Sequence, residues 1–195
     1  MKHSSTRELF NYWNAQRGSR PAPERGEIEP SAIRRALADT FMLDIDPRRG
    51  HPFRIAGTRV CALFGRELKG LSFVGLWAAQ GRDELCDLLA SVVSETVGVV
   101  AGVSAASSGG AALDLELLLL PLAQRGGASS RLLGALAPTE PPAWLGAETL
   151  RPLALGMTRY LGPQTGPYSG PQSRPLVPRK ARIRHGLIVY DGGHA

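Results

Sequence analysis

The sequence predicts an α+β fold in which one antiparallel sheet of five strands carries helices on one face. Three observations lead there. Two short strand-like runs, 40–46 and 52–56, flank a tight turn; a block with helical character fills 57–97; and three more strand-like runs follow between 99 and 136, separated by Gly-rich turns. Three such runs in succession make hairpin neighbours. The first hairpin then joins the same sheet through one long connection, which the helical block supplies.

At 195 residues and 20.8 kDa the chain suits one domain with appendages, and 43% hydrophobic against 21% charged residues is enough for a sizeable core. The first element is a helix over Thr6–Arg17, with Leu9, Phe10 and Trp13 on an apolar stripe, Ser5 or Thr6 placed to cap it and Gly18 closing it. A lone helix of this length is marginal in water, so its stripe must dock on something: its own domain, or a partner or dimer surface. A turn-rich connector, 18–30, leads to a short helix over Ala32–Asp39, capped by Ser31, with Ile33 and Leu37 on one face. The hairpin Thr40–Asp46 and Pro52–Ala56 turns at Pro47–Gly50. Gly57 breaks the second strand, Thr58–Phe64 forms a helix ended by Gly65, and Phe73–Ala79 is a further short helix or turn.

The clearest helix is Arg82–Val97. Leu85, Leu88, Leu89, Val92, Val93 and Thr96 share one face, and Asp83 and Glu84 suit the positive end of its dipole. The closing strands are Val99–Ala105, Ala112–Leu120 and Arg131–Leu136, with turns at 107–110 and 126–130. In the middle one, Leu113, Leu115, Leu117 and Leu119 alternate with Asp114 and Glu116 before Leu118 and Leu120 end the alternation, so a half-exposed strand becomes covered on both faces.

The block Arg54–Gly70 (RIAGTRVCALFGRELKG) resembles the stretch of a PAS domain in which the second strand runs into a short helix, an aromatic-Gly pair (Phe64-Gly65), an acidic-Leu step (Glu67-Leu68) and a Gly (Gly70). More narrowly, the chain is similar to the alphaproteobacterial stand-alone PAS proteins. The supporting features are the aromatic helix running into Arg17-Gly18, the Ile28–Pro30 entry, and LLLPL followed by LLGALAP, together spanning residues 6–145. The resemblance implies a PAS-like five-stranded sheet and a sensory role. It also implies tests for the family's cofactors. The long helix carries no His of the kind that haem-binding members use, and GLSFVGLWAAQ lacks the Cys of the light-sensing flavin motif. No cofactor is therefore expected. A small apolar ligand in the core remains open, with Phe64, Trp77, Leu85, Leu89, Leu117 and Leu119 as candidate lining.

No catalytic or metal constellation is legible. The four His residues are scattered, no phosphate-binding Gly-rich loop can be written, and the carboxylate pairs Asp83/Glu84 and Asp114/Glu116 sit at a helix start and on a strand's solvent face. Cys61 and Cys86 read as small core residues, and a cytoplasmic, non-enzymatic protein is expected.

The excess charge lies at the end of the chain. Residues 157–195 hold six basic residues and one acidic, with six Gly and five Pro. The domain organisation expected is thus a helix and connector (1–30), the PAS-like domain (31–138), a Pro-rich extension (139–156) and a basic, largely disordered tail (157–195), with a strand-forming segment at 183–190. Two functions follow. One is a sensory or adaptor protein working through a protein partner or a homodimer, with Leu9, Phe10 and Trp13 as the surface. The other is weak nucleic-acid or membrane-surface contact through Arg179, Lys180, Arg182 and Arg184.

Overall fold

The computed structural model describes residues 1–123, 131–161, 181–184 and 187–190. Helix α1 (Ser4–Arg17) leads through 3-10 turns to β1 (Thr40–Asp44) and β2 (Phe53–Ala56). Helices α2 (Thr58–Phe64) and α3 (Arg82–Ser94) follow, then β3 (Gly98–Ala106), β4 (Ala112–Leu122), β5 (Arg131–Pro138) and β6 (Ala154–Leu161). These strands form one antiparallel sheet in the order β2-β1-β5-β4-β3-β6. The long connection through α2 and α3 joins the first hairpin to the same sheet, as the sequence reading expected, and the hairpin lies beside β5.

The sheet has six strands, not five. β6 lies against β3, with Val100 opposite Arg159 and Ala101 opposite Thr158, and a bulge between Ala101 and Val103. Its sequence, ALGMTRYL, has a Gly at its centre and few β-branched residues, so strand propensity is weak and pairing with β3 supplies the order. The expected boundary at residue 157 therefore falls inside a strand. Beyond it, Ala181–Arg184 (β7) and Leu187–Tyr190 (β8) pair as a small hairpin, where one strand over 183–190 was expected.

Helices lie on both faces of the sheet, a second difference. On the inner face, α2 and α3 contribute Val60, Leu63, Phe64, Leu85, Leu88, Leu89 and Val92 to a core with Phe41, Val99, Leu117, Leu119 and Leu132 from the strands. On the outer face, Leu9 and Trp13 of α1 pack on Met42, Val100, Leu118, Leu120 and Leu133. Leu117–Leu120 lose alternation because each successive side chain meets a covered face.

Local differences have local causes. The segment expected as one helix over 32–39 is a pair of 3-10 turns, Pro30–Ile33 and Leu37–Asp39, crossing the rim of the sheet. The carbonyls of Leu37 and Ala38 abut Gly57 so closely that a Cβ there would overlap them, so Gly57 is needed for close approach; its φ of −68° is ordinary. α3 stops at Ser94 rather than 97 because Thr96 takes a left-handed conformation, φ 52°, and the Val97 N–H donates back to the Val92 carbonyl. At Gly134 a side chain would overlap the ring of Phe41, its cross-strand partner, which lies over the bare backbone.

Candidate functional site: the inner core and the latch of the first helix

Four aromatic rings organise one end of the inner core. Phe41, Phe53, Phe73 and Trp77 stand with neighbouring centroids 5.5–5.7 Å apart, three of the four pairs edge-to-face. Phe73 and Trp77 reach this cluster because Val74–Leu76 is a single 3-10 turn, after which Trp77 pairs with Leu153 just before β6. Here Ala78 N–H donates to the Leu153 carbonyl and Leu153 N–H to that of Leu76, both at 2.9 Å.

The structure brings all six predicted lining residues, Phe64, Trp77, Leu85, Leu89, Leu117 and Leu119, into this one buried core. They pack with one another and with the aromatics. Three surface clefts, of about 550, 440 and 420 Å³, are lined by other residues. One polar atom stands out within the core. Trp77 is 1% exposed, and its indole N–H has no hydrogen-bond partner, an arrangement that costs about 1–3 kcal/mol unless an acceptor is supplied.

A second arrangement, which sequence reasoning missed, fastens α1 to the outer face. Ser5 and Thr6 do not cap the helix; His3 does, its Nδ1 accepting from the Ser5 N–H at 3.2 Å. The two hydroxyls instead bind buried carboxylates. Ser5 Oγ donates to Asp39 Oδ2 at 2.5 Å, and Thr6 Oγ1 donates to Glu116. Glu116 also accepts the backbone N–H groups of Lys2 (2.7 Å) and His3 (3.0 Å). It was expected on a solvent face, but α1 covers it. Burial pushes its carboxyl up, and the Thr6 hydroxyl with the Lys2 and His3 amides more than reverses this, leaving it below the usual carboxylate range.

Asp39 extends the arrangement across the rim of the sheet. Fully buried at the end of the 3-10 turn, it accepts two hydrogen bonds from Arg59 of α2, Nε at 2.7 Å and Nη2 at 2.6 Å. These bonds hold the guanidinium more firmly protonated. One carboxylate thus joins α1 on the outer face to α2 on the inner face. The only sequence signal was the pair of hydroxyls at the helix start, which serves a cap equally well.

Leu9 and Trp13 of the predicted partner surface are buried on the chain's own sheet, with Trp13 Nε1 donating to the Pro121 carbonyl at 2.8 Å, while Phe10 is half-buried. Of the predicted polyanion contacts, Arg179 and Lys180 lie outside the described residues, and Arg182 and Arg184 fall within β7. Cys61 is buried and Cys86 half-buried, and burial, aided by Asp83 and Asp87, pushes the Cys86 thiol up. Among the described residues there is no cluster of metal-ligating side chains, and no helix is long and apolar enough to cross a membrane.

An open antiparallel sheet that grips short helices on one face and carries an N-terminal helix on the other is the layout of a small single-sheet α+β domain. A family model described as PAS domain matches residues 1–137, from the start of the chain through α1 to near the end of β5, and the chain belongs to the PAS domain family. No curated protein and no solved structure matches it.

Proposed function

We propose that the chain is a non-enzymatic sensory or adaptor protein of the cytoplasm, acting through contacts with other proteins and taking a small apolar ligand in its inner core. The observation that carries this reading is the Ser5–Asp39–Arg59 connection. A ligand acts on a protein only through states to which it binds unequally. Here α2, which closes the inner core, shares a buried carboxylate with α1, so a shift of α2 changes how firmly α1 is held. Release of α1 exposes an apolar sheet face and an apolar helical stripe together, and both are surfaces on which a partner can dock. The unpartnered indole of Trp77 supplies the donor that orients a ligand carrying one acceptor.

Hydrogen exchange of the full chain tests the connection. In Arg59→Gln, amides of α1 exchange at least about tenfold faster while β3–β5 keep their protection, because opening of α1 is sub-global. Equal loss of protection everywhere, or none in α1, would refute the role given to Arg59.

The second reading, salt-sensitive contact with nucleic acid or a membrane surface, rests on the charge of residues 157–195, including Arg179, Lys180, Arg182 and Arg184. It predicts binding of duplex DNA or anionic vesicles at low salt that disappears at high salt.

A further inference from the structure

At the edge strand β2 an apolar side chain stands among guanidinium groups. Ile55 pairs in register with Met42, a member of the outer-face core, so Ile55 belongs to that face. It is nevertheless 52% exposed, one of three large apolar side chains among the described residues left in water. The pairing slips between Met42 and Leu43, which makes Arg54 the extra residue of a bulge, a device that re-aims a side chain. Its guanidinium is 56% exposed and lies 3.6 Å from Asp44. Arg34 and Arg35 sit between Ile33 and Ala36, which pack in the same outer cluster as Met42. Both are exposed and form no ion pair among the described residues. Arg59 joins them. Its Nη2 reaches the Arg35 carbonyl at 3.4 Å, its Nε and Nη2 hold Asp39, and its Nη1 has no hydrogen bond among the described residues. The nearby carboxylates are already committed: Asp39 is buried between Ser5 and Arg59, and Asp44 is shared by Arg54 and Arg131.

We infer that this rim is a docking surface for an acidic segment of a partner protein, with carboxylates on the guanidinium groups and an apolar side chain on Ile55. It rests on the reading of the chain as one that works through protein contacts, and it names the chemistry of the partner. Three observations select that occupant. All four cations are Arg, whose planar fork matches a carboxylate and which is enriched in protein interfaces where Lys is depleted. Two of the forks are held beforehand, by Asp44 and Asp39, whereas a lipid surface attracts any cation by charge and needs no such orientation. Ile55 among them offers a phosphate backbone nothing to bind. The contact is made by side chains, because the backbone of β2 is occupied at Phe53. Its N–H donates to the Leu71 carbonyl at 3.0 Å and its carbonyl accepts from the Gly70 N–H at 2.7 Å, which blocks strand addition there. Arg59 ties the surface to α1, since the guanidinium that meets the partner also holds Asp39, the carboxylate bound by Ser5.

An NMR titration of the full chain with a short peptide of Asp and Glu around a central Leu decides the matter. The expected result is amide shifts concentrated at residues 33–36 and 53–59. The double reversal Arg34→Glu/Arg35→Glu, at two exposed side chains without ion pairs of their own, weakens binding at least about tenfold. Ile55→Ser, or a peptide with Ser in place of its Leu, weakens it at least about threefold. Duplex DNA and anionic vesicles, titrated at the same salt, move those amides less than the peptide does. Peptide shifts that are absent or scattered outside these segments overturn the inference, as does an affinity indifferent to the variants. DNA or vesicles that move the same amides as strongly as the peptide, or more strongly, also overturn it. Each of these outcomes leaves the exchange of α1 in Arg59→Gln untouched, so the surface can fail while the sensory reading stands.

Discussion

His51 follows the hairpin turn with a left-handed backbone, φ 57°, and is 4% exposed with Nδ1 lacking a partner. Burial pushes its imidazole below the usual value, and the nearby Asp46 only partly offsets this. A base whose folded pKa is depressed is bound by more protons in the unfolded chain. Its stabilising effect is full above the unfolded value, near about 6.5, and is lost as pH falls through the folded one. The chain should therefore lose urea stability between pH 7 and pH 5. His51→Asn, which tolerates the left-handed backbone and does not titrate, should flatten that slope. An unchanged slope in the variant would place the titration elsewhere. Trp77 and His51 share a trait that sequence could not display: each is an ordinary-looking residue whose polar atom becomes unusual only once the surrounding core is in place.

At the scale of elements, α1 is held by two different kinds of force. Leu9 and Trp13 bury apolar surface without direction, whereas Ser5 and Thr6 fix the helix start to Asp39 and Glu116. The polar half is sensitive to acid. Glu116 titrates below its unfolded value, so its contribution is complete above about pH 4.3 and fails as pH falls through the lower folded value. Hydrogen exchange at α1 should accelerate in that acid range before the sheet opens. Glu116→Gln should show the faster exchange already at neutral pH, since an amide offers a weaker acceptor to two amides and a hydroxyl. If α1 in Glu116→Gln remains as protected as in the wild type, the apolar stripe alone holds the helix.

For the whole molecule, much was legible in the sequence because it depends on periodicity. The helical face of Leu85, Leu88, Leu89 and Val92, the alternation in β4 and the Gly65 end of α2 each follow from short-range rules, and from them came the α+β class; Gly57 stands at the start of α2 for another reason, the close approach of the Leu37 and Ala38 carbonyls. What was missed depends on partners distant in sequence. β6 is a poor strand until β3 lies beside it, and Glu116 reads as a solvent-facing residue until α1 covers it. The inward-facing α2 and α3 were expected on one face of the sheet; that α1 closes the other could be read only from the joint fit of Leu9 and Trp13 with Leu118 and Leu120.

The central proposal is that the inner core takes a small ligand and that α1 reports on it. Native mass spectrometry of the full chain tests this most directly. The account predicts a species carrying a small-molecule adduct, with the adduct weakened in Trp77→Phe, whose ring fills the core but offers no donor. A chain without adduct, identical in the wild type and in Trp77→Phe, would contradict it.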